Sequence, residues 1–119
     1  MRKGMEESVL GIWLAHGEGR AYFPDRAIFE RITEDNLAPV RYVNDDNEIT
    51  IKYPFNPNGS TDGIAGICSP DGRHLAIMPH PERTFLKWQW GWMPEDWKSN
   101  LKASPWFKMF QNAREWCGR

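Results

Sequence analysis

The sequence predicts a mixed α/β fold with the pattern of the back half of a domain. Strand-like runs outnumber helical ones, and the two clear helical patterns lie far apart in the chain. The chain also lacks the strand–helix–strand crossovers with which a doubly wound sheet begins.

The elements follow in order. Residues 9–15, VLGIWLA, form a nearly continuous apolar run and predict a strand buried on both faces. HGEGR follows at once, so this strand runs into a glycine loop. PDRAIFERITED carries Ala27, Ile28 and Ile32 at helical spacing, and Pro24 suits the first turn of a short surface helix. Residues 38–43, APVRYV, read as a strand; NDDN turns the chain, and the alternation in EITIKY predicts a hairpin. Residues 56–63, NPNGSTDG, are loop chemistry throughout. IAGICS and HLAIM predict short strands joined by the turn signal PDG. Residues 84–103 are tryptophan-rich and irregular, with a short helix near Pro94. SPWFKMFQNAREWC predicts the last helix, with Ser104 as N-cap and Pro105 at the first helical position. Trp106, Met109, Phe110 and Ala113 form its apolar stripe, with Trp116 close by.

Composition narrows the function classes. A chain of 119 residues is one small domain, and 40% hydrophobic residues with seven tryptophans can supply a core. The net charge of −1 gives no broad basic surface for nucleic acid. Cys68 and Cys117 make no disulfide framework, which favours a reducing compartment, the cytoplasm. No apolar run approaches the ~20 residues that span a bilayer. Glu6 and Glu7 interrupt the basic-then-apolar start, and no small-residue cleavage site follows, so no signal peptide is expected.

The segment MPHPER, residues 78–83, carries the sharpest chemical signal. Pro79 fixes its own φ, and Pro81 pushes His80 out of the helical region. The segment is therefore extended or turning, and in an extended chain His80 and Glu82 share a side. Such a pair reads as a general base with its orienter: the carboxylate fixes the tautomer and stabilises the imidazolium. A surface ion pair on a proline-rich loop is the other reading. The spacing shows no nucleophile to match. Cys68, in GICSP, has Pro70 where an elbow wants glycine, and it reads as a buried strand thiol. Cys117 reads as a passive thiol at a helix end, and serines 8, 60, 69, 99 and 104 show no elbow setting.

Other segments leave two readings open. In HGEGR, the loop of His16, Gly17, Glu18 and Gly19 lets backbone amides approach a ligand, or is a plain turn. Asn56, Asn58 and Ser60 could contact a polar ligand, or cap their own loop. Cys68, His74 and His80 match no usual zinc spacing, and no metal site is expected. Trp88, Trp90 and Trp92, at period two, would present three indoles to one side of a strand, as a stacking platform or as a packing or docking cluster.

Taken together, AHGEGR, YPFNPNGS, GIAGICSPDGRHLAIMPHPER and SPWFKMFQNAREW resemble, in order and spacing, the C-terminal glutaminase domain of the phosphoribosylformylglycinamidine synthases. The resemblance covers essentially the whole chain, and the tryptophan-rich tail is closer to the large single-chain form of that family. It implies part of a class I glutamine amidotransferase domain of flavodoxin-like α/β fold, occupying residues 1–119. It also implies that a cysteine on an elbow attacks glutamine, assisted by the histidine and glutamate of H-x-E, and that the ammonia serves purine biosynthesis. His80 and Glu82 match those two positions; His16 to Gly19 match the segment beside the glutamine pocket, and Asn56 to Ser60 a nearby loop.

Neither cysteine of this chain matches the family's elbow, whose equivalent would precede residue 1. The expectation is a C-terminal fragment, inactive alone, with glutamine and the remainder of the synthase as partners and neither nucleic acid nor membrane. No cofactor is expected in this segment; ATP and magnesium act in the complete enzyme. A bare sheet edge beside residues 9–15 is expected to make the isolated chain self-associate. The alternative from another class is a non-catalytic interaction domain derived from an amidotransferase, and a weaker third is a sugar-binding module built on the tryptophans.

Overall fold

A computed structural model describes residues 3–17 and 19–118. They form two compact units: Ala15–Pro79, and the residues up to Leu14 together with those from His80 onward.

The first of these holds the sheet. Helix α1, Arg26–Glu34, starts at Asp25, whose carboxylate accepts the Ala27 N–H at 2.8 Å. Asp25 therefore caps the helix and Pro24 stands outside it, not in its first turn as the sequence predicts. The helix also turns differently: Ala27 and Ile28 are exposed, while Phe29 and Ile32 are half-buried and Phe29 packs on Phe23 at 5.6 Å. Strands β1 (Val40–Arg41), β2 (Ile64–Cys68) and β3 (Leu75–Ile77) form an antiparallel sheet in the order β1-β2-β3. β2 and β3 are the predicted hairpin around PDG, closed by Ser69 and His74 and turned at Gly72 with φ +68°. Ile64 and Ala65, which open β2, are buried, as is Tyr42.

The hairpin predicted for residues 38–53 forms only near its turn. Asn44 accepts the N–H groups of Asp46 and Glu48, and a bridge pairs Val43 with Ile49. EITIKY does not continue as a strand: Ile49 and Ile51 are exposed, and the chain turns at Lys52, whose carbonyl accepts the Asn56 N–H at 2.9 Å.

The other unit holds the two later helices, α2 (Glu95–Asn100) and α3 (Phe107–Cys117). Pro94 precedes α2, as the sequence predicts. Ser104 and Pro105 form a lead-in turn rather than the first turn of α3, with the Ser104 hydroxyl accepting the Trp106 N–H at 3.2 Å. Trp106 and Met109 are buried and Ala113 half-buried, but Phe110 and Trp116 lie outside. Asn112 takes the inner place and donates its amide to the Lys3 carbonyl at 2.8 Å. Phe110 instead meets Phe85 edge-on at 5.9 Å, giving the exposed ring one packed side.

Residues 9–14 are not the doubly buried strand that their apolar run predicts. Exposure alternates along them, and Trp13 is 52% exposed. An apolar run records what could be buried; here residues 10, 12 and 14 are half-buried and residues 9, 11 and 13 exposed. The Trp106 indole donates to the Gly11 carbonyl at 2.8 Å, and the His80 N–H to the Trp13 carbonyl at 3.2 Å.

The tryptophan platform also fails to form. Lys87–Gln89 is a 3₁₀ turn, so Trp88, Trp90 and Trp92 do not follow strand alternation. Trp88 and Trp92 are 79% and 75% exposed, whereas Trp90 is half-buried with its N–H bonded to the Thr84 carbonyl at 2.8 Å.

Candidate active site

His80 and Glu82 meet, though by a route other than an extended ribbon. Pro81–Arg83 form a 3₁₀ turn, with His80 just before it at φ −111°, ψ 87°. Pro81 suits the first position of such a turn, since its missing N–H would be unpaired there anyway. The turn brings His80 Nδ1 to 2.6 Å from Glu82 Oε1. It is closed by the Arg83 and Thr84 N–H groups, which donate to the His80 and Pro81 carbonyls, each at 3.0 Å.

The electrostatics suit an orienter. Partial burial raises the Glu82 carboxyl, but its own backbone N–H and the hydrogen bond and charge of His80, with Arg83, outweigh it, and the net shift is down. With the folded value below the unfolded one, this favourable interaction is present above the unfolded value. It fades as pH falls through the folded one. Glu82 therefore stays a carboxylate through neutral pH. Nδ1 is the ring nitrogen turned to that carboxylate.

The support under the turn was not legible in sequence. Thr84 is 2% exposed. Its hydroxyl reaches the carbonyls of His80 at 3.3 Å and Pro81 at 3.2 Å. Its own carbonyl accepts both the Trp90 indole N–H and the Ser104 hydroxyl. These donors lie 6 and 20 residues along the chain, a separation that no local pattern reports. Beside Thr84, an indole-walled cleft of about 170 Å³ is lined by Trp13, Trp90 and Trp92; neither His80 nor Glu82 lines it.

The remaining candidate residues lie in the sheet-bearing unit. Gly17 turns with φ +51°, His16 Nδ1 is 2.7 Å from the Gly17 carbonyl, and the Gly19 N–H donates to the His16 carbonyl at 2.7 Å. Glu18 lies outside the described residues. A Cβ on Gly19 would stand 2.6 Å from Met78 Cε and 3.1 Å from the His16 carbonyl, so the loop uses glycine for a close approach.

Asn58 holds this loop, its amide donating to the Gly19 carbonyl at 2.8 Å. Its carbonyl oxygen accepts the Ser60 hydroxyl at 2.8 Å, and Ser60 Oγ in turn accepts the Ala21 N–H at 3.1 Å. Asn56 and Ser60 are 2% and 1% exposed. Asn56 donates to the Thr50 and Ser60 carbonyls and accepts the Ser60 N–H. These bonds shape the loop and tether residues 19–21. Burial pushes the Tyr42 phenol up, and the Asn58 side chain opposes that.

Cys68 is half-buried at the end of β2 and leads into the Ser69–His74 turn; Cys117 is exposed on the last residue of α3. Both are free thiols. Among the described residues, no three imidazole, thiol or carboxylate groups converge on a metal position. No described helix is long and apolar enough to cross a membrane.

The comparison with known proteins agrees with the resemblance read from MPHPER and its flanks. The probable phosphoribosylformylglycinamidine synthase, chloroplastic/mitochondrial, of Arabidopsis thaliana is 62% identical over 117 residues, covering 98% of this chain and 8% of that protein. The phosphoribosylformylglycinamidine synthase of Dictyostelium discoideum is 59% identical, covering 97% of this chain and 9% of its own length. The Homo sapiens synthase is 51% identical, covering 98% and 9%. The chain thus spans under a tenth of the length of these curated relatives. The family model for the CobB/CobQ-like glutamine amidotransferase domain matches residues 1–117, from the strand-like opening through the last helix, and the chain belongs to that family.

Proposed function

We propose that this chain supplies the general base and its orienter to the glutaminase site of a phosphoribosylformylglycinamidine synthase. The observation that carries the reading is the 2.6 Å contact between His80 Nδ1 and Glu82 Oε1 on a proline-framed turn. In this reading His80 Nε2 takes the proton of a cysteine thiol contributed by the rest of the parent protein. The sulfur attacks the glutamine amide carbon, and a tetrahedral adduct forms. The imidazolium, stabilised by Glu82, returns the proton to the leaving nitrogen as the C–N bond breaks and ammonia departs. Water, deprotonated by the same imidazole, then attacks the thioester, and glutamate and free thiol result.

His16, Gly17, Glu18 and Gly19 are assigned to glutamine contact by the family resemblance. Asn56, Asn58 and Ser60 are assigned to glutamine binding by the same resemblance. The finer architecture proposed is the flavodoxin-like class I amidotransferase fold, completed by parts of the parent protein. ATP and magnesium would act in those parts, where ammonia is consumed in converting formylglycinamide ribonucleotide to formylglycinamidine ribonucleotide. The compartment proposed is the cytoplasm, on the ground that both thiols are free.

Cys68 leads into a hairpin turn and Cys117 ends a helix, so neither stands on a strand-to-helix elbow. The purified 119 residues are expected to release no glutamate from glutamine; release abolished by His80→Ala would overturn this. The direct test is Glu82→Gln in a parent synthase carrying this chain. The neutral amide cannot stabilise the imidazolium, so glutamine-driven turnover should fall about a hundredfold. Turnover on added ammonia should hold. An unchanged glutamine-driven rate would remove Glu82 from the mechanism.

A further inference from the structure

We infer that Thr84 is a positioning residue for the His80–Glu82 pair, acting through the backbone of the turn that carries them. The inference rests on the glutaminase reading above. Glu82 has a side chain 56% exposed, so packing does little to aim its carboxylate. Its aim is set by the backbone between His80 and Arg83. Within that stretch Pro81 has a fixed φ, and His80 sits outside the helical region. What remains free to rotate is closed by the Arg83 N–H and by Thr84.

The closure works from both ends of one buried residue. The Thr84 hydroxyl is shared between the carbonyls of His80 and Pro81, and the Thr84 N–H donates to Pro81 as well. The Thr84 carbonyl is then clamped by two donors from separate segments, the Trp90 indole and the Ser104 hydroxyl. Ser104 also accepts the Trp106 N–H, so the clamp reaches the start of α3. Replacing this buried hydroxyl by a methyl group removes the second donor to the two carbonyls and leaves the turn closed by the Arg83 and Thr84 N–H groups alone. The turn would answer by opening, and the carboxylate would swing with it.

The test uses the parent synthase, assayed with glutamine and with ammonia. Thr84→Val keeps the shape and removes the hydroxyl. It is expected to lower the glutamine-driven kcat about ten- to a hundredfold, as misaimed catalytic groups do. KM for glutamine and the ammonia-driven rate should stay near wild type. Thr84→Ser, which keeps the hydroxyl, should restore most of the lost kcat. Trp90→Phe removes the donor to the Thr84 carbonyl and should give a smaller loss in the same direction, which serves if Thr84→Val does not fold.

An unchanged kcat in Thr84→Val, equal losses with both nitrogen sources, or a Thr84→Ser variant as poor as Thr84→Val would each overturn the inference. His80→Ala is the separate control. If it kept glutamine-driven turnover, the glutaminase reading itself would fall. If it lost that turnover while Thr84→Val did not, only the role of Thr84 would fall.

Discussion

Replacing His80 by alanine in a parent synthase is expected to cut glutamine-driven turnover by roughly a thousandfold or more, while ammonia-driven turnover continues. The size follows from two roles in one ring. In the proposed mechanism Nε2 takes a proton from the thiol and later delivers one to the leaving nitrogen, and alanine offers neither. The loss should exceed that of Glu82→Gln, because the glutamate acts only through the imidazole. In that mechanism it stabilises the imidazolium and holds the tautomer, from the observed 2.6 Å between Nδ1 and its oxygen. The two changes should not add: once the ring is gone the carboxylate has nothing left to orient, so the double variant should match His80→Ala. Added ammonia is the discriminating arm, since it enters after the amide has been cleaved. A His80→Ala protein that lost both activities equally would mark His80 as a structural residue.

The pair at this centre was legible in sequence, and the path between its members was not. The prolines at 79 and 81 restrict the backbone so strongly that His80 is kept from a helix, and a histidine and glutamate two apart then have few ways to avoid each other. Extended chain and tight turn both satisfy that restriction. The turn wins because Thr84 supplies bonds that close it, and Thr84 itself is anchored by Trp90 and Ser104. Ser104 was read as a helix cap, which is half its work: its oxygen accepts from Trp106, and its hydrogen goes to Thr84.

Elsewhere, turn chemistry was the reliable signal. The PDG hairpin forms between β2 and β3 because Gly72 takes a positive φ, and Asn44 closes the hairpin of residues 43–49 with its own side chain. Apolar runs were the unreliable one. Residues 9–14 and 49–51 have strand composition, but a strand needs a partner ladder, and composition does not say whether one is there. The tryptophans mislead in the same way. Trp90 is fixed by an N–H bond to a carbonyl six residues back, which breaks the period of two that its neighbours suggest.

The second large effect concerns stability in the sheet-bearing unit. Gly63→Ala is expected to destabilise it by about 2–4 kcal/mol, adding left-handed strain to steric overlap. Gly63 has φ +63° and precedes β2 directly. A Cβ there would stand 2.9 Å from Ile49 Cγ2 and 3.1 Å from each of the carbonyl oxygens of Thr50 and Tyr42. The Ile49 methyl can move; the Tyr42 oxygen cannot move cheaply, because it accepts the Thr50 N–H at 3.1 Å. The Gly63 carbonyl also accepts the Tyr42 N–H at 2.7 Å, so retreat of the glycine would lengthen that bond. Gly72 is the control: its φ is +68° but nothing stands within 4 Å of a Cβ. Gly72→Ala should therefore cost only the backbone strain, about 1 kcal/mol. Thermal midpoints of the two variants, measured against wild type under one set of conditions, separate the contributions. A clearly lower midpoint for Gly63→Ala is expected. Equal midpoints would mean that the close packing of Gly63 against residues 42 and 49–50 contributes nothing beyond its φ.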